Sequence, residues 1–217
     1  MSLAALALFV LPIQQTALAD IARDEQKRLN ACITKVEAAP LEAYEDSLAW
    51  LSSGNRPPAR YCNALALLAL EHYEEGAARL EALATAPDAM TLEDRTLYMA
   101  QAGNAWLTAE YPDAAVRALS EAIKLRQGDI DLLKDRASAY LLLERYIEAI
   151  DDLNAALALI PVDSEALTMR ARAHLATDNL RAADLDMREA LAQDPRNIDI
   201  LVLRGEVREA IRISRAE

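Results

Sequence analysis

The feature that most constrains this chain is that its C-terminal half repeats itself. Shifting the sequence by 34 residues places Leu133 over Leu167, Arg136 over Arg170, Ala137 over Ala171 and Tyr140 over His174. The same offset sets Ala149 over Ala183, Leu153 over Met187, Ala156 over Ala190, Leu157 over Leu191 and Pro161 over Pro195, without a gap. One step toward the N-terminus recovers Met99, Ala102, Gly103, Trp106, Ala115, Leu119, Ala122 and Ile123, with Gln127 in place of the closing proline. One step forward gives Leu201, Arg204 and Gly205. A fixed period of this length marks a stack of identical supersecondary units, each too small to bury its apolar face alone.

Within a period the apolar and small residues recur at spacings of three and four, which gathers them on one helical stripe. Ala137, Ala149 and Ala156 are small where two helices must approach closely, and Pro161 ends the second helix because it donates no amide hydrogen. Each period is therefore a helical hairpin. Composition agrees: 53% of residues are hydrophobic but only 5% aromatic, so Ala and Leu supply the apolar surface. Five Gly and eight Pro are too few for the dense turns of a sandwich or barrel.

A 34-residue hairpin with a large apolar residue, a small one, an aromatic, a central Ala and a terminal Pro resembles the tetratricopeptide repeat (TPR) family. The resemblance is carried by Leu133, Ala137, Tyr140, Tyr146, Ala149, Leu153, Ala156 and Pro161, and again by Leu167, Ala171, Leu180, Ala183, Met187, Ala190 and Pro195. It implies an all-α fold, a right-handed α-solenoid of about five helical hairpins plus a C-terminal capping helix, and a role in holding a protein partner. In register, the units are 24–54, 57–95, 96–129, 130–163 and 164–197 of a single domain over residues 20–217. Ala31, Ala43 and Trp50 mark the weakest copy, and Ala64, Leu67, Leu68, Tyr73, Gly76 and Leu80 the next. TAPDAMTLED lengthens that second unit by about five residues. The helix over 198–214 carries Arg204, Glu206, Arg208, Glu209, Arg212 and Arg215 and is expected to solvate the end of the stack.

The first nineteen residues carry no charge, and Asp20 opens a charged run. Leu3 to Leu11 is too short to span a bilayer, and Ala17-Leu18-Ala19 has the small-x-small form of a signal-peptide cleavage site, although no Lys or Arg precedes the apolar run. The expectation is an exported protein of the bacterial periplasm or cell envelope, its mature chain starting near Asp20. The alternatives are an apolar segment retained as a membrane anchor, the only case with membrane contact, or a buried amphipathic helix. Two cysteines, Cys32 and Cys62, make up the whole complement, and in an exported protein an isolated pair is most simply a disulfide. Cys32 sits three positions later in its unit than Cys62 does, about one helical turn, so the thiols can face each other across adjacent first helices.

A net charge of −12 opposes nucleic acid, and its even spread reads as a solvated surface. Arg136, Arg170 and Arg204 recur on first helices and Asp152 and Asp186 on second helices. They are expected to form an ion-pair ladder between units, since an unpaired charge on a core-facing stripe is costly. His72 and His174, the only histidines, have no His or Cys at ligand spacing. His174 takes the aromatic position of Tyr140. No nucleophile-elbow, phosphate-loop, dinucleotide or zinc-protease string occurs, so no catalytic residue, metal or cofactor is expected.

In the family the first helices line a concave groove. The residues opposite the buried stripe are Asn104, Leu107 and Thr108, then Asp131, Lys134 and Ser138, then Glu165, Thr168, Arg172 and Leu175. Family members that grip a chaperone's acidic tail use Lys and Asn there. Asn104 and Lys134 each match one such position, but Asp131, Asp135, Glu165 and Met169 stand where donors are needed. Mixed charge and short apolar patches suit an extended or helical segment of another protein. The expected role is a non-enzymatic interaction scaffold, with an accessory subunit of a membrane-associated complex as the alternative. Oligomeric state is left open.

Overall fold

A computed structural model describes residues 11–89 and 91–216, and among them every regular element is a helix. Where the register draws one array over residues 20–217, the helices gather into two compact units, one up to Ala89 and one beyond it.

The first unit holds α1 (Leu11–Ala38), α2 (Pro40–Ser53), α3 (Pro57–Ala69) and α4 (Tyr73–Thr85). Pro40 and Pro57 open their helices, where a missing amide hydrogen deprives no helical bond. α3 lies against all three other helices and buries Ala59, Tyr61, Cys62, Ala64, Ala66 and Leu67. Gly76 of α4 is a close approach: a Cβ there would overlap Leu68 of α3. Cys32 of α1 and Cys62 of α3 are joined by a disulfide, their Cα atoms 6.0 Å apart. Of the apolar segment 1–19, the first ten residues lie outside the described ones. From Leu11 the helix runs unbroken through Ala19 to Ala38. Among the described residues no helix is long and apolar enough to cross a membrane.

The second unit holds α5 (Leu92–Thr108), α6 (Pro112–Leu125), α7 (Ile130–Leu142), α8 (Tyr146–Leu159), α9 (Ser164–Ala176), α10 (Leu180–Gln193) and α11 (Ile198–Ser214). Each helix packs on the next, and the first helices α5, α7, α9 and α11 also touch in order. Ala137, Ala149, Leu153, Leu157, Ala166, Leu167 and Ile200 form one core cluster, and Ala171, Ala183, Met187, Leu203 and Val207 the next. The alanines of both clusters are wholly inaccessible, as the close-approach reading requires. Asp129, Asp163 and Asn197, one period apart, cap the N-termini of α7, α9 and α11 with their side chains.

The turns inside the hairpins share one device. Glu71, Glu110, Glu144 and Asp178 have φ of 64°, 64°, 57° and 57°. Each follows a first helix, and the next residue's amide bonds back to that helix's last turn: His72 to Leu67, Tyr111 to Trp106, Arg145 to Tyr140 and Asn179 to His174, at 2.8–2.9 Å. This is the left-handed C-terminal cap that glycine normally fills. A side chain with a Cβ costs about 1–2 kcal/mol in that conformation. Glu144→Gly is therefore expected to raise the melting temperature by about 2–4 °C per kcal/mol gained, and Glu144→Val to lower it. Thermal unfolding followed by circular dichroism checks both.

Candidate functional site

The face of α5, α7 and α9 turned away from the buried stripe is braced by polar rungs. Asn104 of α5 donates to the Asp135 carboxylate of α7 at 2.9 Å. Burial pushes the Asp135 carboxyl above its ordinary range, partly offset by that hydrogen bond. Lys134 of α7 donates to Glu165 at 2.8 Å and to Asp163 at 3.3 Å, and Asp131 lies 3.4 Å away. Burial works to lower the Lys134 pKa, but the Glu165 and Asp163 carboxylates outweigh it and hold the ammonium above the ordinary lysine value. Lys134 is thus neutralised from within.

Between α7, α9 and the start of α11 lies a recess of about 480 Å³ lined by Glu165, Asp194 and Asp199. Beside it a second recess, of about 490 Å³, is lined by Leu141, Leu142, Tyr146 and Ala176. Ser138, Met169 and Arg172 border both. Leu142 is 62% exposed, and Arg172 is exposed with no ion pair among the described residues. The surface thus has an acidic end, an apolar end and one free guanidinium between them.

Placement of the expected groove residues is mixed. Asn104, Thr108, Asp131, Glu165 and Arg172 are exposed, and Leu107, Lys134 and Ser138 half-buried. Thr168 borders the acidic recess, although it is largely buried and its hydroxyl donates to the Ser164 carbonyl at 2.6 Å. Leu175 is not a groove side chain, because it packs against the Ala171–Met187 cluster. α7 and α9 are each covered by their own mate and by the next helix pair or cap, so their buried stripe is wider than a single contact predicts. Asp194 and Asp199 come from α10's end and α11's start, which spacing along first helices alone does not reach.

The charged residues of the stripe pair inside a hairpin, not between units. Asp152 accepts from Arg136 Nε and Nη2 at 2.8 and 2.7 Å, and Asp186 from Arg170 Nε and Nη2 at 2.8 Å. The link to the preceding unit is a hydrogen bond, from Arg136 to Ser120 at 3.0 Å and from Arg170 to Asn154 at 2.7 Å. The motif is a three-part relay at intervals of 16 residues, and the first unit has a version of it. There Asn63 donates to Ser47 at 2.8 Å and accepts from Arg79. Arg204 departs from the ladder: it has no partner among the described residues. His174 sits 3.9 Å from Asp186, and burial pushes its imidazole below the ordinary value, as befits a packed neutral ring. Among the described residues no group of His, Cys, Asp or Glu is arranged to hold a metal.

Solved structures share this architecture. The Arabidopsis OM64 TPR domain is 26% identical, covering 55% of this chain and 98% of that domain with a TM-score of 0.53. The chain has the tetratricopeptide-repeat fold. The first TPR of Spaghetti (RPAP3), solved with the HSP90 peptide SRMEEVD, is 25% identical over 54% of this chain and 92% of that one, TM-score 0.52. YrrB, described as a TPR protein with an unusual peptide-binding site, has the same fold at 17% identity over 82% of this chain and 88% of its own, TM-score 0.64. No protein-family profile and no curated protein matches the sequence.

The relay gives this TPR stack a test. Asp152→Ala strands the Arg136 guanidinium in a half-buried site and is expected to lower stability by about 3 kcal/mol. The double variant Arg136→Met/Asp152→Ala removes both charges and is expected to recover most of that loss. Urea unfolding of the two variants, compared at equal m-value, decides it.

Proposed function

We propose that the second unit grips a segment of another protein across α7, α9 and α11, without catalysis. The segment would set a basic side chain in the acidic recess and an apolar one on Leu142, with Arg172 holding a carbonyl or carboxylate between them. The observation that carries the proposal is Arg172 itself, an exposed guanidinium with no partner among the described residues, on a surface where the neighbouring Lys134 is saturated. Two of the similar TPR domains were solved with acidic chaperone peptides, SRMEEVD and SGPTIEEVD. The same mode is unsuited here, because Glu165, Asp194 and Asp199 repel such a tail. Phage-displayed peptides selected on the full chain are expected to pair Lys or Arg with Leu, Ile or Phe. Arg172→Glu and Leu142→Asp should each weaken them about tenfold, roughly 1.4 kcal/mol. Equal affinity for both variants would move the site elsewhere.

The same proposal places the protein in a bacterial periplasm, as a soluble adaptor freed from its apolar N-terminal segment. In support stand the uncharged start of the sequence and the bond between Cys32 and Cys62, which is typical of an oxidising compartment. The second reading, an accessory subunit held at a membrane, keeps Met1. Mass spectrometry of the protein from its native cells is expected to find a chain starting near Asp20 with both thiols joined. An intact Met1 selects the second reading.

A further inference from the structure

We propose that the outward face of α11 is a docking surface for an amphipathic helix of another protein, one carrying an aspartate followed directly by a large apolar residue. This surface is separate from the one formed by α7, α9 and the start of α11, and the inference does not rest on that assignment.

Register identifies the face. Leu201, Arg204 and Gly205 of α11 stand one period after Leu167, Arg170 and Ala171, and two after Leu133, Arg136 and Ala137. In both earlier hairpins this stripe is covered by the unit's own second helix. Ala137 packs with Ala149 and Leu153, Ala171 packs with Ala183 and Met187, and both small residues are wholly inaccessible. On α11 the stripe is open among the described residues. Gly205 is exposed, with no atom within 4 Å of where its Cβ would stand, and Leu201 and Arg204 are half-buried.

Two properties of that open stripe specify what fits it. Arg136 and Arg170 each hold an aspartate through two hydrogen bonds, while Arg204 in the same position holds nothing among the described residues. The missing group is a carboxylate. Gly205 lies in the interior of a helix, where glycine costs about 1 kcal/mol relative to alanine. No described residue crowds it. At Gly103, in the same register of α5, Leu119 of the mate helix fills the space a Cβ would need. Gly205 is thus suited to receive a leucine-sized side chain at the closest approach two helices make.

The mate helices show the complementary sequence. Ala149, Asp152, Leu153 and Ala156 of α8 recur as Ala183, Asp186, Met187 and Ala190 of α10. The partner helix therefore has the pattern small-x-x-Asp-Leu/Met-x-x-small. A second copy of this chain does not supply it from α8 or α10, because those residues are already buried in their own hairpins.

The test uses the full chain and a stapled, fluorescein-labelled copy of residues 180–193. Saturable binding is expected in the range of about 10–100 µM, with amide shifts in nuclear magnetic resonance spectra concentrated on α11. Gly205→Leu leaves the fold intact, as circular dichroism can verify, and should weaken binding at least about tenfold. Arg204→Glu should do the same and be rescued by a peptide with Arg at its Asp186 position. No binding up to about 1 mM would overturn the proposal. So would affinity indifferent to Gly205→Leu, or shifts centred on α9 and α10 instead of α11. A dimer in sedimentation that Gly205→Leu dissolves would also overturn it, naming a second copy as the occupant.

Discussion

The close approach of paired helices through alanine and glycine is the constraint on which the rest of the structure depends. Helix axes separate by roughly 8–10 Å according to the side chains at the crossing, and the small residues here set the short end of that range. Ala137 faces Ala149 and Ala171 faces Ala183 with no accessible surface left on any of the four. Such a crossing leaves little room for misalignment. It fixes the rotation of each helix about its axis, and with it which residues look into the core, which meet the next unit and which face solvent.

Burial of the Arg–Asp relay follows from that rotation. A guanidinium so close to the core is tolerable because Asp152 and Asp186 meet it with two hydrogen bonds each and Ser120 or Asn154 takes a further one. Buried ion pairs add little net stability against apolar replacements. The unit over 96–129 illustrates it, with Ala102 and Ala118 buried at the positions the pair fills elsewhere. What the relay adds is selectivity of pairing: an aspartate misplaced by one residue would lose its partner and leave a charge stranded. The same residues that tie a hairpin together therefore discriminate between correct and slipped neighbours, a property that alanine pairs alone do not provide.

Much of this was legible in the sequence because the repeat makes each position a comparison with its equivalents. Hairpin boundaries, buried alanines and the facing cysteines follow from spacing. The turns were harder. Glu144 and Asp178 adopt a conformation usually marked by glycine, and nothing in their side chains announces it. Leu175 belongs to the core and not to the groove, because its helix is buried on two sides, by its mate and by the following hairpin. The relay also differs from a ladder between units: residues 16 apart lie across one hairpin, so charges that recur each period pair within the period. The spacing of Ser120 and Asn154 carried that signal, but only in combination with the arginines.

Local neutralisation decides what the exposed surface can bind more than net charge does. Lys134 and Arg172 are both cations on first helices, and from sequence they look equivalent. Lys134 is met by carboxylates from its own helix, from the cap of α9 and from α9's first turn. Removing it would unbalance three acids at once, so its loss would report on folding before it reported on binding. Arg172 has no such entourage, and its guanidinium is free to change partners at little structural cost. The open Arg204 on α11 differs again, since its equivalents show what completes it. In a repeat protein the missing partner of one unit can be read from the partners its neighbours already hold, which turns a periodic sequence into a template for the ligands of its own ends.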